Sequence, residues 1–179
     1  TTCAYLVVFD STSTYPYCND FETGPQWVAL NSVNYTPNSS WQLGTPVKVN
    51  LVGSHSGAKC WVTNLVNDYP NEDESSLFSP VFNVKANTCY ELKFWHNFDM
   101  DLFNDGGTIE YSTDSAQNWQ QFGQGGDMTN WMNATYIAAF GGPPIMAGWT
   151  GFVGGWVESK HNFESLQNGT LIFRWRFGS

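Results

Sequence analysis

The stretch "TLIFRWRF", residues 170–177, constrains the fold more than any other part of the chain. Leu171, Phe173, Trp175 and Phe177 alternate there with Thr170, Ile172, Arg174 and Arg176. Successive side chains of a strand point to opposite faces, so period-two alternation reads as a strand with one buried side. "ELKFWHNF" repeats the pattern, with Leu92, Phe94, His96 and Phe98 on one side. "YLVVF", "PVKVNLV", "KCWVTNL", "SLFSPVFNV" and "GTIEYST" are further short runs of strand-forming residues, punctuated by Gly, Asn, Asp and Pro. Pro80 inside "SLFSPVF" predicts an edge strand or a bulge, because proline cannot donate to a ladder. No long window has a helical period, and only residues 131–140 leave room for a turn of helix. The expectation is an all-β chain, an antiparallel β-sandwich of jelly-roll type. It forms a single domain over residues 1–179, with residues 1–17 as an amino-terminal extension or arm.

Charge narrows the partners. The net charge is -9 and only 13% of residues are charged. Nucleic-acid binding needs clustered Lys and Arg to displace counterions, and docking on anionic lipid needs the same. A cation, a neutral polymer or another protein fits better. No apolar run approaches the roughly 18–20 residues of a membrane span. The first ten residues, "TTCAYLVVFD", lack the basic start of a signal peptide, so the chain reads as mature or as part of something longer. Cys3, Cys18, Cys60 and Cys89 show no C-x-x-C spacing, and the chain has only three His, which disfavours zinc. Two disulfides in a secreted or cell-surface protein are the expectation, paired Cys3–Cys18 and Cys60–Cys89. The first pair brackets the amino-terminal segment, and the second joins neighbouring predicted strands. Buried free thiols are the alternative.

The acids are the first candidates for chemistry. "HNFDMDLFNDGG" sets Asp99, Asp101 and Asp105 close together in a chain poor in charge. An EF-hand loop needs ligands at positions 1, 3, 5 and 12 with Gly at 6. Starting at Asp99 puts Phe103 and Asn104 at the fifth and sixth places, and starting at Asp101 puts Phe103 and Ser112 at the third and twelfth. Both registers fail. A glycosidase pair needs one acid in an apolar pocket, and acids on a Gly-rich loop are more readily solvated. No nucleophile elbow, H-E-x-x-H or phosphate loop occurs. "NEDE", Asn71 with Glu72, Asp73 and Glu74, reads as a solvated turn. His96, on the apolar side of its strand, reads as a satisfied core histidine. Among the aromatics, Trp131, Tyr136, Trp149 and Trp156 lie in a Gly- and Pro-rich stretch. They are candidates for a sugar-stacking platform, or for rings that fold back to cover the sheet.

One segment carries a resemblance. Phe21-Glu22 with Gly24 and Trp27, after Cys18 and Asp20, resembles the opening of MAM domains. The remainder resembles MAM-like jelly-roll modules of secreted bacterial proteins, including those attached to immune-inhibitor-A-type peptidases and the cleaved-adhesin modules of Bacteroidota. Trp41, Leu43, Gly44 and Pro46 match their "W-x-L-G-x-P". His55, Ser56, Gly57 and then Trp61, Thr63, Asn64 and Leu65 match "HSG…W-x-T-N-L". Asp105 to Gly107, Glu110 to Asp114 and Trp119 match "DGG…EYSTD…W", and Gly154 to Trp156 and Arg176 to Ser179 complete the series. Asn19 intrudes between Cys18 and Asp20, and no Cys stands near Trp27, so the MAM disulfide pattern does not transfer.

The resemblance implies a noncatalytic module with calcium at the sandwich edge. The motif glutamate, Glu22, is the implied ligand, with carbonyl oxygens from the loop around Ser54. Asp99, Asp101 and Asp105 are the densest other supply of the hard oxygens that calcium takes. Three functions follow: an adhesion or interaction module stabilised by calcium, with an extracellular protein or glycan as partner; a carbohydrate-binding module using the 131–156 aromatics; or a fragment of a secreted hydrolase. Asn34, Asn38, Asn133 and Asn168 stand in glycosylation sequons, which matter only in a eukaryotic host.

Overall fold

The alternating runs become the longest strands. The structure, a computed structural model, describes residues 9–24, 26–142, 144–165 and 167–179. The strands are β1 (Ser11–Thr12), β2 (Val28–Asn31), β3 (Trp41–Gly44), β4 (Val47–Lys48), β5 (Leu51–Val52), β6 (Cys60–Thr63) and β7 (Glu74–Phe78). They continue as β8 (Val81–Val84), β9 (Thr88–His96), β10 (Gly106–Ser112), β11 (Gln120–Gln121), β12 (Val157–Ser165) and β13 (Gly169–Gly178). The helical turn expected within 131–140 is a 3-10 turn at Ala138–Phe140. No helix of the described residues is long and apolar enough to cross a membrane. The fold is an antiparallel β-sandwich of jelly-roll type, as the alternation predicted.

β13 organises the larger layer. It pairs antiparallel with β10 along one edge and with β7 and β8 along the other. β7 and β8 are one strand interrupted at Ser79-Pro80, and the bulge predicted for Pro80 is there. The Ser79 hydroxyl mends the ladder by accepting from the Phe173 N–H at 3.0 Å. β2 extends the sheet beside β7, β1 lies parallel to β8, and β11 closes the far side beside β10. The inner face presents Leu171, Phe173, Trp175 and Phe177 with Ile109 and Leu77. On the opposite face Arg174 and Glu110 are register partners, with Nε donating to Oε2 at 2.7 Å.

The second layer is the nine-residue pairing of β9 with β12, in which Phe94 lies opposite Ser159 and Tyr90 opposite Phe163. β12 is not legible as an apolar run, because its inner face carries Ser159 and His161. Beside it lie the β3–β6 ribbon and the β4–β5 hairpin. The dense part of the core is at one end: Ile109, Phe122, Trp131, Met132, Ala147, Trp149, Leu171 and Phe173 form one buried cluster.

Two expectations change. Cys60 and Cys89 do not pair: β6 borders β3 and β9 borders β12, and Cys60 is buried while Cys89 is exposed, both as free thiols. Burial pushes the Cys60 thiol up to about 11, as expected of an inert interior sulfur. Cys3, and with it the Cys3–Cys18 pairing, lies outside the described residues, as does most of "YLVVF". "NEDE" is no solvated turn. Asp73 is buried, accepts hydrogen bonds from the Ser40 and Ser75 hydroxyls, and is tied through its backbone N–H to Ser179 Oγ at 3.0 Å. Glu74 pairs with Arg176 at 2.9 Å. Of the amino-terminal arm, residues 9–17 run along the sheet, where β1 pairs with β8 and the rings of Tyr15 and Tyr17 meet Tyr90 and Phe82.

Candidate functional site

Glu22 is placed by its neighbours on the chain. The Asn19 side chain accepts from the Phe21 N–H at 2.7 Å, and Asp20 accepts from the Glu22 N–H at 3.1 Å. These two local turns hold Phe21 at φ 63°, a left-handed conformation that is costly for a bulky residue. In return the Phe21 ring meets Trp27 edge-on at 5.5 Å, and Trp27 packs on Trp175 of β13 at 4.9 Å. With Phe21 fixed to the sheet, the Glu22 carboxylate reaches the loop before β6. Its Oε1 accepts from the N–H groups of Ala58 at 2.8 Å and Lys59 at 2.7 Å. Gly57 is at φ +66°, and a Cβ there would lie 2.5 Å from Oε1, so a side chain would both strain the backbone and push the Glu22 carboxylate aside. The Ser54 hydroxyl donates to the carbonyls of Ser56 at 2.8 Å and Gly57 at 3.0 Å, which sets further hard oxygens in the same loop.

Phe21, and Cys60 and Trp61 of β6 just after this loop, stand in the wall of a cavity of about 280 Å³. Trp27, Trp41, Trp61, Trp95, Trp156 and Trp175 stand in its wall, and Asn50, Asp68 and Asp99 contribute polar groups. His55, at the loop's crest, stacks on Trp95 at 3.8 Å with 12° between the planes, and turns its edge to Trp156 at 6.2 Å. Trp95 was the visible signal in the sequence: it is the one aromatic on the outward side of "ELKFWHNF", in step with Glu91 and Lys93. His96 faces inward. The Ser159 hydroxyl donates its only proton to the Asn130 carbonyl at 2.7 Å, so Ser159 Oγ accepts from His96 Nε2–H at 2.8 Å. Burial lowers the imidazole to about 4, so near neutral pH it is uncharged with its proton on Nε2.

The aspartates of the opening stretch go to separate partners. Asp99 accepts from Asn50 at 2.5 Å, Asp101 from Asn104 at 2.8 Å, and Asp105 from the Tyr69 hydroxyl at 2.7 Å. Burial first, and then the bond to Asp105, push the Tyr69 phenol up. Among the described residues no three His, Cys, Asp or Glu side chains gather as a metal site. Asp101 and Asp105 instead shape the turn into β10, where the Thr150 hydroxyl reaches both of their carbonyls.

The aromatic platform expected of Trp131, Tyr136, Trp149 and Trp156 is not present. Trp131 and Trp149 are 1% and 5% exposed, and their indole N–H groups are satisfied by the carbonyls of Phe122 and Asn130. Their long loop folds back as a cover over the sheet, driven by the area these rings bury. Tyr136 is exposed away from them, and Trp156 joins the cavity wall instead.

No family model matches the chain. It is similar to Bacillopeptidase F of Bacillus subtilis (strain 168), with 30% identity over 131 residues. That match covers 71% of this chain and 9% of the relative, so the chain spans about a tenth of the length of the curated protein it matches. Among solved structures it is similar to the K2 cleaved adhesin domain of Lys-gingipain, with a TM-score of 0.50 and 12% identity over 88% of this chain and 92% of that one. The K1 cleaved adhesin domain of Lys-gingipain from Porphyromonas gingivalis W83 matches at a TM-score of 0.46 and 10% identity, over 88% and 91% of the two chains. The sandwich fold is thus shared with a cleaved adhesin domain.

Proposed function

We propose that the chain is a noncatalytic, extracellular interaction module of a larger secreted or cell-surface protein, braced by calcium at Glu22. The observation that carries this reading is the Glu22 carboxylate held by the Ala58 and Lys59 N–H groups, close against Gly57 in its left-handed conformation. The donor set there fits calcium, which takes six to eight hard oxygens. Glu22 Oε2, Ser54 Oγ and the carbonyls of Ser56 and Gly57 would hold the ion, with water completing the shell. Bound there, it would tie the Phe21–Trp27 corner to the loop before β6. The fold shared with a cleaved adhesin domain supports an adhesion role, and the far greater length of the similar Bacillopeptidase F supports a module within a longer protein. The hydrolase reading has less behind it. Asp68 and Asp99, the carboxylates on the cavity wall, are both exposed, whereas a general acid needs an apolar setting.

The test is melting in excess calcium against melting in a chelator. An ion bound only by the folded state stabilises it by about 2.7 kcal/mol at a hundredfold excess over Kd, or roughly 5–10 °C for a domain of this size. Glu22→Gln keeps Oε1 for the Ala58 and Lys59 N–H groups while removing the charge. It should leave the chelator curve nearly in place and close the gap. Identical native curves in calcium and chelator, with no ion by elemental analysis, overturn the calcium reading.

A further inference from the structure

The cavity beside the Glu22 loop has features that a packing defect would not explain. Seven tryptophans share its wall: Trp149 is buried, Trp27 packs on Trp175 and His55 stacks on Trp95, while Trp41, Trp61 and Trp156 stay partly exposed. The indole N–H groups of Trp41 and Trp61 are buried, and among the described residues neither has a hydrogen-bond partner. Leaving such a donor unsatisfied costs about 1–3 kcal/mol, and native interiors seldom accept it without a reason. Trp149, also on the wall, and Trp131 in the dense core have their partners, while Trp119, outside the cavity, shares the lack. A ligand that supplies acceptor oxygens to two indole donors would remove that cost.

We propose that this cavity binds a neutral saccharide of one or two rings, stacked between Trp95 and Trp156 and hydrogen-bonded to the indole N–H groups of Trp41 and Trp61. A pyranose offers one face of C–H groups, which suits the negative face of an indole, and a rim of hydroxyls that both accept and donate. Its donors meet Asn50, Asp68 and Asp99 on the polar side of the wall. Those carboxylates, in a chain of net charge -9, disfavour sulfated, phosphorylated or sialylated ligands. A lipid chain would leave the polar side without partners. The volume of about 280 Å³ lies at the small end of ligand pockets, which suits a chain terminus or a short internal unit of a glycan. His55, outside the wall, stacks on Trp95 and turns its edge to Trp156, so a sugar between those two rings takes the place of its imidazole. The assignment rests on the interaction-module reading and names the partner class that would occupy it.

The experiment is calorimetric and tryptophan-fluorescence titration of the whole chain, in calcium. The probes are glucose, galactose, mannose, N-acetylglucosamine, cellobiose, lactose and chitobiose, each to about 20 mM, where even millimolar complexes saturate. At least one should bind saturably with a fluorescence change. Trp156→Ala and Trp95→Ala should each weaken it about tenfold or more. Trp61→Phe keeps a ring but deletes the donor, and should weaken binding severalfold without lowering Tm. Tyr136→Ala, exposed on the distant loop, should change nothing. Absence of saturation by every saccharide overturns the assignment, as does saturable binding of indole, an uncharged aromatic probe, without any saccharide. Binding that survives Trp156→Ala and Trp95→Ala also overturns it. A calcium-dependent Tm that persists while all saccharides fail would locate the error in this site and not in the module reading.

Discussion

Glu110 and Arg174 form a charge pair whose removal has a size that can be worked out in advance. Their side chains are 7% and 9% exposed, Arg174 Nε donates to Glu110 Oε2 at 2.7 Å, and the guanidinium lies 4.3 Å from the centre of the Trp119 ring. Two charges held this far from water are stable only together. Breaking such a pair from one side leaves an uncompensated buried charge and costs about 3–5 kcal/mol. Glu110→Gln should therefore lower Tm by roughly 6–20 °C, at about 2–4 °C per kcal/mol for a domain of this size. Arg174→Met should do the same, with a further loss of the Trp119 contact. The double variant Glu110→Leu with Arg174→Met replaces both charges by apolar volume and should recover most of the stability. Urea unfolding of the four proteins gives the coupling energy directly. Added salt should hardly change it, unlike a pair at the surface such as Lys160–Glu158. Single-variant losses below about 1 kcal/mol, or a double variant that merely sums the two, would refute the argument that the pair is desolvated.

Two other residues carry shorter predictions. Asp73→Asn should lower Tm through about 1–3 kcal/mol, because the Ser40 and Ser75 hydroxyls lose their charged acceptor; the loss should be equal in calcium and in chelator, since Asp73 lies apart from Glu22. His96, lowered to about 4 when folded against an ordinary 6.5, binds its proton less readily in the native state. Its contribution is complete above pH 6.5 and is lost as pH falls toward 4, by on the order of 2–3 kcal/mol, so His96→Gln should flatten that part of the stability profile measured by urea unfolding.

What was legible in the sequence followed side-chain chemistry that repeats locally. β13 and β9 announce themselves because Phe, Trp and Leu fall on every second residue. β12 does the same geometric work with Ser159 and His161 on its inner face, where Ser159 meets Asn130 and His96 and His161 Nε2 reaches Asp127 at 3.5 Å, all brought from elsewhere. Polar alternation of that kind leaves no periodic hydrophobic signal. Asp73 looked solvated because its sequence neighbours are acidic, but its partners Ser40 and Ser179 are 33 and 106 residues away. The proposed Cys60–Cys89 bond assumed that strands near in sequence are near in space, and a jelly roll violates that by design of its crossings. Glu22, Trp41 and Trp61 all stood in motifs, but the motifs did not mark the two indole donors as unpaired. Nothing in a sequence distinguishes an indole N–H that will be satisfied from one that will not.

The two ends of the sandwich solve different problems. At one end, Ile109, Phe122, Trp131 and Phe173 are at most 7% exposed and interlock edge to face, with Phe122 5.0 Å from Phe173 and 5.8 Å from Trp131. That packing yields the large dispersion and burial terms that hold the two layers together. At the other end a cavity separates the packed elements, and Trp41, Trp61 and Trp156 on its wall stay partly exposed at the expense of the same terms. A domain arranged this way needs polar ties where apolar closure is missing. They lie around the open end or behind the large sheet: Glu22 onto residues 58–59, Tyr69 onto Asp105, Asp73 onto Ser40, and Glu110 onto Arg174. Each such tie is directional and fixes one loop in one position, which apolar contact alone does not do. Rigid polar supports around an unfilled aromatic cleft are the arrangement expected where a site is held ready for a ligand, since loops ordered beforehand need not be ordered at binding.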